Sequence, residues 1–105
     1  MNYYFFIGWK FEDYCKYILK NYEYSVSPDP RPIGQCLQLD KNSRSVIMVW
    51  IEDKSDVLSL AHECLHAANR ALGRAGWMWD PWNDETQTYL MTNIMRQALG
   101  KGMKK

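Results

Sequence analysis

Two histidines lie four residues apart, with a glutamate directly after the first, at His62-Glu63-Cys64-Leu65-His66. Residues at i and i+4 of a helix sit about one turn apart on one face, so both imidazoles can reach a single ion at roughly 2.0–2.1 Å. Glu63 lies about 100° round the helix from His62. Beside the histidine face, its carboxylate can take a proton from water at an open position of the ion. These are the only histidines in the chain. The pattern therefore predicts a Zn2+ centre, with His62 and His66 as ligands and Glu63 as the general base. Two imidazoles and a carboxylate suit zinc among the divalent metals. Cys64, two residues from each histidine, points to the opposite side of such a helix and reads as a small buried apolar residue rather than a ligand.

A catalytic zinc site commonly takes three protein ligands and keeps one position open. A third histidine downstream would give the metzincin or SprT-like arrangement, but position 70 is Arg70 and no histidine follows it. Glu85 comes after His66 with eighteen residues between them, giving HExxH-x18-E. That spacing resembles the gluzincins, particularly the aminopeptidase branch, whose third ligand follows an aromatic residue and Asn. Here the residues are Trp82-Asn83-Asp84-Glu85, with the intervening order changed. The likeness covers 24 residues, His62 to Glu85. It implies His62, His66 and Glu85 as metal ligands, Glu63 as general base, and a zincin-like metallopeptidase as the activity. No G-x-M-E-N segment for gripping a substrate amino terminus is present. In size the chain is similar to the small zincin-like metallopeptidases encoded by phages and mobile elements. Asp84 stays a rival for the third position, and either acid can simply favour a helix N-terminus. If Glu85 binds, Thr88, Tyr89 and Thr92 fall near its face, as supporting residues or, for Tyr89, as a donor to a developing oxyanion or a core residue.

These residues need a scaffold. Residues Tyr3 to Trp9 form an aromatic strand or extended segment. Phe11, Tyr14, Cys15, Ile18, Leu19 and Tyr22 make the stripe of an amphipathic helix. Pro28, Pro30 and Pro32 mark the stretch from Ser25 to Gly34 as a loop. Gln35 to Leu39 and Val46 to Ile51 read as strands joined by a turn at Asp40-Lys41-Asn42-Ser43, a hairpin. Val46 to Ile51 is either an edge open to an extended peptide or a central strand. The histidine helix should start near Ser55 as N-cap and stop at Gly73, anchored by Val57, Leu58, Ala61, Leu65, Ala68 and Leu72 on the side away from the site. Trp77 to Trp82 either lines a cleft or plugs the end of the core. A last helix, opened by Asp80-Pro81 or Asn83 and ended by Gly100, carries Tyr89-Leu90, Ile94-Met95 and Ala98-Leu99 inward. The order is β-α-β-β-α-α. The expectation is one α+β domain over residues 1–105, a minimal zincin-like unit with a small antiparallel sheet packed on the histidine helix and the C-terminal helix.

Composition narrows the function. Of 105 residues, 47% are apolar, enough for a core without disulfides. Cys15, Cys36 and Cys64 form no metal-knuckle spacing and read as reduced thiols. Thirteen basic residues face twelve acidic ones, which disfavours nucleic acid and anionic membranes as partners. Lys101, Lys104 and Lys105 read as a solvated tail. The apolar burst near the N-terminus lacks a basic region before it, so neither a signal peptide nor a membrane span is expected, and the expected location is cytoplasmic. Two readings follow. One is a zinc metallopeptidase or amidase hydrolysing a peptide-type bond in a peptide or protein substrate. The other is a non-catalytic zinc-containing protein that acts by binding a protein partner. The presence of Glu63 favours the first, since a structural site has no use for a base.

Overall fold

A computed structural model describes residues 2–28, 32–78, 80, 82 and 84–101. The elements are β1 (Asn2–Ile7), α1 (Phe11–Tyr22), β2 (Gly34–Lys41), β3 (Arg44–Ile51), α2 (Val57–Arg74) and α3 (Glu85–Lys101). Their order is the expected β-α-β-β-α-α. Pro30, Trp79, Pro81, Asn83, Lys104 and Lys105 lie outside the described residues, as does the Lys101 side chain.

The sheet is mixed rather than antiparallel. Its strand order is β1-β3-β2, with β2 antiparallel and β1 parallel to β3. The hairpin arises locally: Asn42 and Ser43 take φ of 53° and 62°, and Lys41 pairs with Arg44 across them. Two residues at positive φ match the twist of the flanking strands. The chain leaves β1 through α1, so β1 can add to the far side of β3 in the parallel sense.

Val46 to Ile51 is therefore a central strand with no free edge, buried on both faces. Ile47, Val49 and Ile51 point into one core with Phe5, Leu60, Cys64, Ala67, Ala68, Ile94 and Ala98, between the sheet and the α2–α3 pair. Val46, Met48 and Trp50 point the other way, into a core with Phe6, Trp9, Phe11, Tyr14 and Ile18 beneath α1. Alternation along one strand thus fills two layers. Trp50 is locked there: its indole N–H donates to the Trp9 carbonyl at 2.8 Å and its ring stacks on Tyr14 at 5.4 Å.

The helices differ from expectation in their faces and ends. In α1, Phe11, Tyr14 and Ile18 are buried, whereas Leu19 is exposed. In α2 the buried residues are Leu60, Glu63, Cys64, Ala67 and Ala68; of the expected stripe only Ala68 is fully buried, and Leu58 stands 85% exposed. Small residues on the true face let the helix axis approach the sheet closely. The cap of α2 is Asp56, which accepts from the Ser59 amide at 3.0 Å, while Ser55 bonds back to Asp53. The helix passes Gly73 and runs to Arg74, and Gly76, at φ of 83°, closes it. There the Trp77 amide donates to the Leu72 carbonyl and the Gly76 amide to the Gly73 carbonyl, the paired closure that a left-handed residue allows. In α3, Ile94 and Ala98 are buried as expected, but Tyr89 and Leu99 face solvent, and the helix continues through Gly100 to Lys101. Met78 and Trp82 also stand in solvent and do not plug the core. No helix among the described residues is long and apolar enough to cross a membrane.

Candidate metal centre

The middle of α2 presents the motif. His62 and His66 are exposed, and their rings meet edge to face with an Nε2–Nε2 separation of 3.2 Å. Two nitrogens bound at roughly 2.0–2.1 Å around a tetrahedral ion stand about 3.3 Å apart. The pair is thus already spaced for a shared ion. Without one, the same separation lets one imidazole N–H donate to the other ring. Ligand atoms of His62, Glu63 and His66 all lie within 4.8 Å of one another, the group among the described residues able to hold a metal. The donor set could hold a metal ion, and its chemistry and spacing fit zinc.

Glu63 departs from the expected separation of polar site and buried face. It sits on the sheet-facing side, only 8% exposed. Gly34, the first residue of β2, makes room for it. A Cβ built there would lie 3.2 Å from Glu63 Oε2, 3.3 Å from Glu63 Cγ and 3.3 Å from the Trp50 carbonyl oxygen. Burial raises the Glu63 carboxyl above its ordinary range, and the nearby His62, His66 and Arg70 pull it back down. The carboxylate is therefore largely withdrawn from water beside the imidazole pair, a setting that suits proton transfer. An open cavity of about 420 Å³ leads to it, lined by Ile33, Gly34, Leu58, Ser59, His62 and Glu63.

The neighbouring thiols are inert. Burial pushes Cys64 up to about 12, helped by Cys36 and Glu63, in keeping with its expected apolar role. Cys36 on β2 is pushed up to about 11 by burial, against the opposing charge and hydrogen bond of Arg70.

Glu85 opens α3, exposed, and stands outside the histidine group, as does Asp84. The first turn of α3 is tied to α2 by a hydrogen bond from the Gln87 side-chain amide to Asn69 Oδ1, three residues past His66. Thr88 and Thr92 direct their hydroxyls to backbone carbonyls one turn back, Asp84 and Thr88 respectively. Tyr89 is 71% exposed, so it is not a core residue. Sequence reasoning missed Gly34, Asn69 and Arg70. Arg70 was visible as the next i+4 step after His62 and His66; the contact of Gly34 crosses from strand to helix and leaves no local signal.

Comparison of the chain with protein-family models, curated proteins and solved structures finds no match.

Proposed function

We propose that this protein is a zinc-dependent metallopeptidase or amidase that hydrolyses a peptide-type bond in a peptide or protein substrate. The observation that carries the reading is the imidazole pair at 3.2 Å with a buried carboxylate next to it on the same helix. His62 and His66 hold the ion, and Glu85 is its third ligand. The Gln87–Asn69 bond supports that role for Glu85, because it ties the first turn of α3 to α2 one turn beyond His66. The HExxH-x18-E likeness to gluzincins supports it as well.

Zinc, when bound, polarises a carbonyl and acidifies water. The remaining work belongs to the chain. Glu63 takes a proton from the attacking water on its carboxylate and passes it to the leaving nitrogen, for which its raised proton affinity is suited. Gly34 keeps the β2 backbone close enough to exclude water from the buried side of that carboxylate. Ile33 and Leu58, exposed at the mouth of the cavity, flank the substrate.

The test is Glu63→Gln, assayed for zinc content and for cleavage of a mixed peptide library. The reading expects zinc to be retained and cleavage to fall by at least about 100-fold, within the range for loss of a general base. Retained zinc with unchanged biological effect would instead favour the zinc-containing binding protein.

A further inference from the structure

The hairpin end of the sheet carries two cations that the metal centre does not use. Lys41 and Arg44 stand directly opposite each other across the turn at Asn42-Ser43. Residues so paired share one face of the sheet, and like charges placed this way repel. The face is the α1 side, since Leu39, Val46 and Met48, the next residues at steps of two, lie in the α1 core. α1 ends at Tyr22, and beside that end the face opens as a cavity of about 470 Å³. Asn2 and Tyr4 of β1, Tyr22, Lys41, Asn42 and Arg44 line it, and no acidic residue does. Glu23 and Asp40 belong to a neighbouring cavity that shares Tyr22, Lys41 and Asn42. On the α2 side of the same sheet end the charges balance: Arg74 meets Asp40 at 3.8 Å, and Asp40 also accepts from the Ser45 hydroxyl.

The fold accounts for one of the two cations. The Lys41 ammonium donates to the Asn21 carbonyl at 2.7 Å and lies 5.1 Å from the centroid of the Tyr22 ring, tying β2 to the C-terminal end of α1. Further N–H donors remain on that ammonium. The fold gives Arg44 no such use: its side chain has no hydrogen bond or ion pair among the described residues. Together with the side-chain amides of Asn2 and Asn42, the two cations make a cavity rich in donors. A carboxylate would neutralise one of them, whereas a phosphate dianion neutralises both and offers three accepting oxygens. The cavity also has room beyond a bare phosphate and falls in the size range of small-molecule sites. We propose that this end of the sheet binds a phosphomonoester, its dianionic group between Arg44 and Lys41 and its organic part against Tyr4 and Tyr22. From Gly34, at the Glu63 carboxylate, to Lys41 is the full length of β2, roughly 24 Å at about 3.4 Å per residue. The phosphate site is thus separate from the metal centre and does not rest on the metallopeptidase reading.

The experiment is a titration of the full chain followed by the NMR shifts of its backbone amides, which locates binding as well as measuring it. The probes are inorganic phosphate, ribose 5-phosphate and adenosine 5′-monophosphate, with acetate and adenosine as controls. The phosphate probes should move the amides of residues 2–4 and 41–46, with both esters at least as tight as inorganic phosphate. The tighter ester then names the organic part, a sugar or a base. Arg44→Gln should weaken every phosphate probe by at least about tenfold, the scale of one lost charge-assisted hydrogen bond. Arg44 is exposed, so the variant keeps the fold, which its own spectrum checks. Arg44→Lys should keep part of the affinity, and Lys16→Gln, on α1 and outside the cavity lining, should change nothing. Shifts confined to α2 or absent, acetate binding as tightly as phosphate, or an affinity that survives in Arg44→Gln overturns the proposal. Equal weakening by Lys16→Gln and Arg44→Gln also overturns it, because the attraction would then be that of any surface cation.

Discussion

Replacing Gly34 with alanine inserts a methyl group where three atoms already stand: Glu63 Oε2 at 3.2 Å, Glu63 Cγ at 3.3 Å and the Trp50 carbonyl oxygen at 3.3 Å. Ordinary contacts of a carbon with its neighbours fall near 3.5–4.0 Å, so several tenths of an ångström must be found. Trp50 cannot supply them, being fully buried in the central strand with its ring stacked on Tyr14. Glu63 must move, or β2 must lift from α2. Overpacking of this kind costs about 1–3 kcal/mol. Alanine returns about 0.4–1 kcal/mol by restricting the unfolded chain, since Gly34 has no positive φ to lose. The net expectation is a loss of about 1–2 kcal/mol, or a midpoint lowered by roughly 4–15 °C for a domain of this size. The assay is urea unfolding of the metal-free protein as a double-mutant cycle with Glu63→Ala, which removes two of the three crowding atoms. In that background Gly34→Ala should cost nearly nothing, giving a coupling of about 1 kcal/mol or more. An equal cost in both backgrounds would refute the contact and with it the role assigned to Gly34.

Other outcomes follow from the same geometry. Leu60→Ala should cost about 2–5 kcal/mol and Leu58→Ala no more than about 0.5 kcal/mol, because Leu60 is 2% and Leu58 85% exposed; comparable losses would mean that α2 is turned otherwise. With Cys36 near 11 and Cys64 near 12, their thiolate fractions at pH 8 are about 10⁻³ and 10⁻⁴. A colorimetric thiol reagent should therefore label the partly exposed Cys15 first and the other two only on unfolding, and three fast thiols would contradict their burial. Hydrogen bonds from the Ser59 hydroxyl and amide hold the Asp56 carboxyl below its usual 3.8. The cap thus stabilises the fold above that pH and is lost as the pH falls through the lower, folded value. Asp56→Ala should lower the thermal midpoint at pH 7, with the gap closing as the pH falls through the lower, folded value; a gap independent of pH would exclude the charged cap.

The order of elements was legible because each leaves a local trace: the aromatic run of β1, the β-branched run of β3, the prolines between α1 and β2, and the i, i+4 spacing of His62 and His66. Pairing was not. Nothing in Asn2–Ile7 says that it will lie parallel to Arg44–Ile51, since that depends on which side of β3 remains open after the hairpin forms. The buried face of α2 was misjudged because large apolar residues such as Leu58 and Leu65 outweigh Cys64, Ala67 and Ala68 in any apolar count, while close packing on a sheet rewards the small ones. The same rotation explains the burial of Glu63: a helix turned to bury Cys64 and Ala67 also carries residue 63 against β2. The expected stop at Gly73 falls short because the left-handed turn that closes the helix, marked by its positive φ and by hydrogen bonds to the Leu72 and Gly73 carbonyls, lies at Gly76. The grouping of His62, Glu63 and His66 could thus be read from spacing alone. Their surroundings, Gly34 beneath Glu63 and Arg70 beside it, required the fold.

The most direct test of the central claim is zinc stoichiometry, measured by plasma mass spectrometry on protein purified without a histidine tag and repeated on His62→Ala and His66→Ala. The account predicts about one zinc per chain in the natural sequence and loss of that zinc in each variant while the fold persists. An absence of bound metal together with no uptake on zinc titration, or uptake unaffected by either substitution, would contradict it.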